Sequence, residues 1–225
     1  HQVVTELWNT TVMKKITSKR SLIYHGWVTL SATLLGFAIG TGLGILLAVG
    51  IVHSRVMDMS VMPWAIVSQT IPIIALAPMI IVVLNSVGVA GLVPKAIIAA
   101  YLSFFPVVVG MVKGLRAPDA MQLDLMKTYS AGGRDVFLKL RLPMSMPFLF
   151  ASLKIGIAAA LVGTIVGELP VQRGGLGVRL LSGSYYGQTI QIWAALFAAA
   201  ILAAGLVGIV GAIERRVLKR MGMAA

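Results

Sequence analysis

The strongest constraint in this sequence is a set of long apolar stretches that carry almost no charge. Residues 27–52 and 189–213 contain no Asp, Glu, Lys or Arg, and each is longer than the roughly 20 residues with which a helix crosses a bilayer. The apolar runs do not alternate with polar residues, and an open sheet edge cannot face lipid. The chain is therefore predicted to be an all-α, polytopic transmembrane helical bundle.

Five membrane spans are predicted within a single domain that covers residues 1–225. They lie at about 27–52, 62–84, 92–112, 148–167 and 189–213. The second span contains Pro63, Pro72 and Pro78 and should be kinked, because proline removes backbone hydrogen bonds. The sequence begins with His1 and not with methionine, and we expect a further span before it.

The charge of the chain lies between the apolar runs. The net charge is +12, from 19 Lys and Arg against 7 Asp and Glu. Nucleic-acid binders place such an excess on a polar surface with interleaved aromatic residues, whereas basic loops between spans are typical of contact with an anionic lipid leaflet. We therefore expect membrane lipid as a partner and no nucleic acid.

Loop charge also predicts the orientation. The loop 113–147 holds six basic residues and the tail after Ile213 holds four more, so the positive-inside rule places both in the cytoplasm. Four basic residues fall on the outer side in this scheme, which a preceding span would explain: Lys14, Lys15, Lys19 and Arg20.

A glycine stripe in the first span predicts close helix packing. Gly36, Gly40 and Gly44 recur at four-residue spacing, and small residues on one helical face allow two backbones to approach within lipid. Packing within the chain is the favoured interpretation, and a dimer interface is the alternative.

The cytoplasmic loop has the pattern of two short helices joined by glycines. Pro118–Asp119 is a helix start, and Gly132 and Gly133 are expected to end this helix in the left-handed conformation. A second short helix is expected to end at Pro143. Two interpretations stay open: a rigid knob with Phe137 on its apolar side, or an amphipathic helix lying on anionic lipid.

The same loop resembles the EAA signature of the membrane subunits of bacterial ATP-binding-cassette importers. That signature has an acidic residue, two small residues, a glycine six residues after the acid, an apolar residue and a terminal Leu-Pro. Aligned on Leu142–Pro143, it places Asp124 at the acid, Ser130 at the glycine and Phe137 at the apolar position. The departures are Asp for Glu, Leu125–Met126 for the small pair and Ser for Gly.

The resemblance extends from about Thr29 to Arg216. "QTIPIIALAPMIIVVLN" and "RLPMSMPFLFASLKIGIAAALVGTIVGE" look like the nitrate/sulfonate/taurine group of these permeases, found in the bacterial inner membrane. The resemblance implies that the loop is a coupling helix docked on an ATPase. The residues it assigns to ATPase coupling are Asp124, Ser130, Gly132, Gly133, Phe137, Leu142 and Pro143.

The partners that the resemblance implies are two ATPase subunits, a second permease copy or paralogue, and an extracytoplasmic binding protein. The chain has no G-x-x-x-x-G-K-[ST] sequence, so it is not the ATPase itself. ATP and Mg are expected on the partner ATPase and no cofactor on this chain. The solute is expected to be small and polar.

Polar residues near the membrane are the candidates for the translocation pathway. Glu168 either forms a gate or is an interfacial carboxylate that meets Arg173 or Arg179. Lys154 is expected to snorkel to the cytoplasmic interface. Three consecutive polar residues in the second span are further candidates for lining the pathway: Ser68, Gln69 and Thr70.

Two other classes of function are weighed against an importer permease. A secondary transporter without ATP coupling would need intramembrane carboxylates for ion coupling, and Glu168 alone is thin support. A membrane enzyme would need a catalytic constellation, and the sequence has no cysteine and only three widely spaced histidines. Co-purification of an ATPase would separate the permease from both.

Overall fold

The computed structural model describes residues 2–13, 21–171 and 174–223. Its α-helices are α1 (Gln2–Trp8), α2 (Leu22–His53), α3 (Arg55–Ser68), α4 (Ile73–Ser86), α5 (Leu92–Leu115), α6 (Ala120–Thr128), α7 (Gly133–Val136), α8 (Leu142–Glu168), α9 (Leu176–Tyr185) and α10 (Thr189–Arg220). Two π-helical turns, Asn9–Met13 and Phe137–Arg141, follow α1 and α7. Lys14, Lys15, Lys19, Arg20 and Arg173 lie outside the described residues.

The membrane-crossing helices confirm the predicted helical bundle. In the described residues, four helices are long and apolar enough to cross a membrane: α2, α5, Gly133–Glu168 as one helix, and α10. The pair α3 and α4 makes a fifth if it is counted as one span. The helices begin earlier or end later than the predicted spans, because their ends continue beyond the apolar stretches that identify a span.

The core of the bundle is the contact of α5 with α2 on one side and α8 on the other. Gly36, Gly40 and Gly44 are all buried against α5. A Cβ atom at Gly36 would lie 2.5 Å from both the carbonyl oxygen of Ala96 and the Cβ of Ala99. The glycine stripe therefore packs within the chain, because lipid provides no hydrophobic drive and helices there associate by close contact.

Small residues join α5 to α8 in the same way. A Cβ at Gly110 would lie 2.5 Å from the Cβ of Ser152, and one at Gly163 would lie 3.0 Å from the Cα of Ala99. Ala99 thus lies between α2 and α8, and it is fully buried. α5 is held on two faces by close backbone approach.

The second predicted span is broken and not kinked as a single helix. α3 and α4 meet at 100°, separated by residues 69–72, which we call the break. Pro63 and Pro78 lie inside the two helices without ending them, whereas Pro72 is the N-cap of α4. Proline disfavours the helical conformation in the residue before it, and of the three prolines Pro72 is the one at which the chain leaves the helix.

The prediction that the second loop helix ends at Pro143 is wrong. α7, the π turn and α8 form one helix from Gly133 to Glu168. In the π turn, the Leu142 N–H donates to the carbonyl oxygen of Phe137 and not to that of residue 138. The wider turn relieves the clash between a proline ring and the preceding turn, so the helix continues.

We predict that Gly36→Ala destabilises the bundle and that Gly42→Ala does not. The new methyl group at position 36 would collide with the α5 backbone, and overpacking of this kind costs roughly 1–3 kcal/mol. No atom lies within 4 Å of a Cβ at Gly42 on the same helix. The measurement is the thermal unfolding midpoint in detergent. Equal midpoints for the two variants would contradict the close α2–α5 contact.

Candidate coupling and pathway sites

The first helix of the cytoplasmic loop, α6, begins with a complete capping box. The Asp119 carboxylate accepts a hydrogen bond of 2.7 Å from the Gln122 N–H, and the Gln122 side chain accepts one of 3.1 Å from the Asp119 N–H. Two N–H groups that a helix start leaves unpaired are thereby satisfied. The structure confirms the helix start predicted at Pro118–Asp119.

The end of α6 differs from the prediction. The left-handed residue is Ser130, with φ +53°, whereas Gly132 has φ −68° and starts the next helix. The Ala131 N–H donates to Met126 O at 3.0 Å and the Ser130 N–H to Lys127 O at 2.8 Å. These two bonds form a Schellman motif, whose left-handed position favours glycine. The EAA signature has a glycine at the position of Ser130, so the alignment indicated a left-handed residue there.

The outer surface of α6 is an exposed apolar face. Met121, Leu125 and Tyr129 follow one another at four-residue spacing and are 82%, 55% and 76% exposed. We call these three residues the α6 face. Asp124 lies at its edge, also exposed, and pairs with Lys127 at 2.8 Å. Sequence analysis did not identify this face, although its spacing is visible in the sequence.

Phe137, predicted on the apolar side of the loop, turns toward the bundle. Its ring is half-buried against the bundle and meets the His53 ring edge-on, with 5.2 Å between centroids. Phe137 and Leu142 both pack on the core cluster that contains Ile51 and Leu115. Both residues therefore anchor the loop to the bundle and are not part of its exposed surface.

The remaining residues of the signature lie on the stem of the loop. Gly132 and Gly133 are exposed, and a Cβ at either would meet no atom within 4 Å. Pro143 is half-buried in the first turn of α8. Arg141 donates to the carbonyl oxygen of Leu115 at 3.4 Å, which adds a polar tie between the stem and α5.

A buried polar cluster lies at the opposite end of α8. Glu168 is fully buried; its carboxylate accepts hydrogen bonds from the Thr29 hydroxyl at 2.8 Å and from the Gly177 N–H at 2.9 Å. The Thr29 hydroxyl in turn accepts from the Leu176 N–H at 2.9 Å. We call these contacts the outer clasp, because α8 and α2 together satisfy the unpaired N–H groups at the start of α9.

Two further side chains complete the outer clasp. The Gly175 N–H donates to His25 Nδ1 at 2.9 Å, and Lys95 Nζ donates to the carbonyl oxygen of Gly174 at 3.1 Å. Gly175 has φ +123°, and a Cβ there would overlap the Glu168 carboxylate. Only glycine allows the backbone this close, so the glycines of this loop serve a packing role.

The outer clasp bears on the predicted contact of Glu168 with Arg173 or Arg179. In the described residues Glu168 has no ion pair within 4 Å, so it does not meet Arg179, and Arg173 lies outside those residues. Its carboxylate accepts hydrogen bonds from Thr29 and Gly177 inside the chain. A role for Glu168 as a gate stays a prediction.

The polar residues of the second span lie at the break. The Ser68 hydroxyl donates to Ala65 O and the Thr70 hydroxyl to Val67 O, both at 2.8 Å. The Gln69 amide nitrogen reaches only the Ser68 hydroxyl, at 3.4 Å. Ser68 and Gln69 are half-buried, and Thr70 is exposed. Their placement in the pathway stays a prediction.

Lys154 forms an ion pair where snorkelling was expected. Its Nζ lies 2.7 Å from the Glu214 carboxylate on α10. The carboxylate side chain is only 17% exposed, so the pair joins α8 to α10 within the bundle.

Comparison with known proteins gives a consistent result. Residues 40–222 match the family described as the binding-protein-dependent transport system inner membrane component. A "Probable ABC transporter permease protein" of Haemophilus influenzae is 30% identical over 76% of this chain and 69% of its own length. The riboflavin transport system permease protein RibX of Chloroflexus aurantiacus is 29% identical over 87% and 71%. The formylaminopyrimidine transport permease protein ThiX of Halalkalibacterium halodurans is 32% identical over 74% and 65%.

We predict that Ser130→Gly stabilises the end of α6. A non-glycine residue in the left-handed region costs roughly 1 kcal/mol, which glycine avoids. Amide hydrogen exchange across residues 120–131 should slow by about three- to five-fold, which corresponds to that energy. Gly132→Ala is the control, because its φ of −68° suits any residue. Faster exchange in Ser130→Gly would contradict the assigned Schellman geometry.

We predict that Glu168→Ala loosens α9. The change leaves the Gly177 N–H and the Thr29 hydroxyl without their acceptor, and an unsatisfied buried group costs roughly 1–3 kcal/mol. Thermal stability should fall and amide exchange at residues 174–178 should accelerate. Glu168→Gln, which keeps one acceptor oxygen, should lose less. Asp124→Ala, at an exposed surface pair, should stay within about 0.5 kcal/mol of the parent; an equal loss there would refute the clasp.

Proposed function

Because the chain belongs to the family of binding-protein-dependent transport system inner membrane components, we propose that it is the permease subunit of an ATP-driven importer. It forms a translocation pathway for a small polar solute that an extracytoplasmic binding protein delivers. Two separate ATPase subunits drive it, and a second permease copy or paralogue completes the pathway. ATP and Mg belong to the ATPase partners, so this chain transmits motion and hydrolyses nothing itself.

The observation that carries the ATPase coupling is the exposed α6 face. Three large apolar side chains are exposed on a helix of only nine residues with caps at both ends. A helix this short is marginal by itself, so the caps at its two ends hold its shape. A cluster of exposed apolar residues beside basic charge suits a protein groove.

The route of the mechanical signal follows the long helix behind the loop. The helix from Gly133 to Glu168 has 36 residues, which is about 54 Å at 1.5 Å per residue. One end lies beside the α6 face and the other holds the outer clasp. Displacement of α6 by an ATPase therefore moves the clasp and α9 on the far side of the membrane.

The outer surface offers a contact for the binding protein. α9 packs antiparallel along the first turns of α10, as shown by the hydrogen bond from Gln191 to the Arg179 carbonyl oxygen. The tip beyond it exposes Tyr185 and Tyr186, 77% and 78%. Aromatic side chains of this kind supply contact area at interfaces. We propose that this tip meets the binding protein.

The proposed solute is a small, polar organic molecule. Two of the three relatives carry names for the transport of riboflavin and of formylaminopyrimidine, which are uncharged heterocycles with many hydrogen-bonding groups. Their identities to this chain, 29% and 32%, support the class of solute and leave its identity to the binding protein.

We predict that Leu125→Asp abolishes ATPase co-purification and leaves the fold intact. The new charge lies in the centre of the α6 face and would be desolvated in a docked groove. Leu125 is 55% exposed, so the bundle itself should be unaffected. The measurement is a pull-down of the tagged chain from its host in mild detergent, with partners identified by mass spectrometry.

Leu125→Met is the matched control, because it preserves the volume and the apolar character of the face. It should retain the ATPase, and both variants should have the thermal midpoint of the parent. Phe137→Asp is a poor test, since it would also disturb the core. If the parent chain yields no ATPase, or if Leu125→Asp retains it, the coupling role of α6 is wrong.

A further inference from the structure

The break between α3 and α4 lies well inside the membrane. α3 rises 14 residues from Arg55, about 21 Å at 1.5 Å per residue. The Tyr101 hydroxyl donates to the carbonyl oxygen of Ser68, and Tyr101 lies 14 residues (115 − 101) before the cytoplasmic end of α5, again about 21 Å. The hydrocarbon core is about 30 Å thick. Both estimates place the break within that core.

The break exposes backbone groups that no part of the described chain satisfies. Residues 70–72 are exposed, and α4 has no side-chain cap at its start. Lipid-exposed irregular backbone does not occur at this depth, because hydrocarbon offers no hydrogen bonds. The groups without a partner in the described residues are the carbonyls of Gln69, Thr70 and Ile71 and the N–H groups of Ile73 and Ile74.

The side chains at the break also present free hydrogen-bonding capacity. The Gln69 amide oxygen accepts no hydrogen bond from the described residues, and its amide nitrogen has one long contact of 3.4 Å. A carboxamide both donates and accepts. The exposed Thr70 hydroxyl donates to its own helix and can still accept. The break therefore offers donors and acceptors together.

Exposed side chains on α2 and α8 at this depth are apolar. Leu43 on α2 and Val162 on α8 are 51% and 54% exposed, and their neighbours Gly40 and Gly163 contact Ala100 and Ala99 of α5. Such surfaces in a second copy could cover the break, but they could not pair its polar groups. Two breaks that face each other enclose a polar space instead, which water can fill.

In the described residues, the charged side chains of the spans away from their cytoplasmic ends are used inside the chain. Lys95 bonds to Gly174 O at 3.1 Å, Lys154 pairs with Glu214 at 2.7 Å, and Glu168 belongs to the outer clasp.

We propose that the break lines a water-filled route between this chain and the second permease, and offers a passing solute hydrogen bonds without a fixed charge. Gln69 and Thr70 make the side-chain contacts, and the unpaired backbone groups add further donors and acceptors. The ligand is a polar organic molecule whose hydrogen-bonding groups, and not a net charge, are recognised. The proposal rests on the permease function and adds to it the segment and the chemistry of the route.

The experiment uses single cysteines, since the chain contains none. Gln69→Cys and Thr70→Cys each add one thiol at the break, and Leu43→Cys and Val162→Cys add one at exposed apolar positions of similar depth. The purified transporter is embedded in nanodiscs, where both sides are accessible. It is treated with two water-soluble methanethiosulfonates, one bearing a sulfonate and one a trimethylammonium group. Each rate is normalised to the reagent's rate with a free thiol.

The break thiols should react at least about ten-fold faster than the two controls, because a thiol in hydrocarbon does not ionise to the reactive thiolate. The two normalised rates at each break position should agree within about three-fold, since a free charge within about 4 Å would separate them by more than ten-fold. Break thiols as slow as the controls would overturn the water-filled route. A difference of more than about ten-fold between the normalised rates of the two reagents at a break position would overturn the proposed uncharged lining.

Failure of this inference is distinguishable from failure of the permease function. ATPase co-purification is scored in the same preparations and depends on the α6 face, which does not include the break. A transporter that retains its ATPase while its break thiols stay unlabelled keeps the function and loses the inference. Loss of the ATPase from the parent chain removes both.

Discussion

A peptide group in hydrocarbon has no water with which to bond, and this constraint shapes every element of the bundle. The chain meets it with continuous helices, and where a proline would interrupt α8 a π turn keeps the helix intact. Where the chain cannot pair its backbone internally, side chains do so. At the outer clasp, His25, Thr29 and Glu168 accept the first N–H groups around the start of α9. At the break, backbone groups have no partner among the described residues. Because hydrocarbon cannot pair them, they indicate contact with water or with a polar solute.

Close contact between their backbones holds the helices of the bundle together. Hydrocarbon removes the hydrophobic drive between helices, so glycine and serine on α2, α5 and α8 allow backbones to touch. This rigid core supports elements that differ in kind at its two ends: an apolar face on α6 and a polar clasp around α9. The long helix from Gly133 to Glu168 joins them. Rigidity between the two ends is what a coupled transporter requires.

Local signals in the sequence predicted the start of α6, and failed where helix geometry or a distant contact decided. The start of α6 at Asp119 follows from its capping box, which spans four residues. Gly132 was expected to be left-handed because glycine tolerates that conformation. α6 ends at Thr128, however, so the left-handed residue that follows its C-cap is Ser130. Phe137 was predicted on the apolar side of the loop, but its contact with His53, which is far away in the sequence, was not predicted. Lys154 was expected to snorkel, and it meets Glu214 from another helix.

The sequence by itself determined that the chain is a helical membrane bundle with a basic loop, because apolar length, charge placement and the loop signature are properties of contiguous residues. Only the tertiary structure decided which of those residues share a site. The clasp joins His25, Thr29, Lys95, Glu168 and the glycines near 175, which no spacing in the sequence relates. The 100° angle between α3 and α4 is likewise not given by the presence of proline, since Pro63 and Pro78 leave their helices intact and only Pro72 lies at the break. Helix packing brings distant residues together, and its geometry is set by contacts that a linear pattern does not contain.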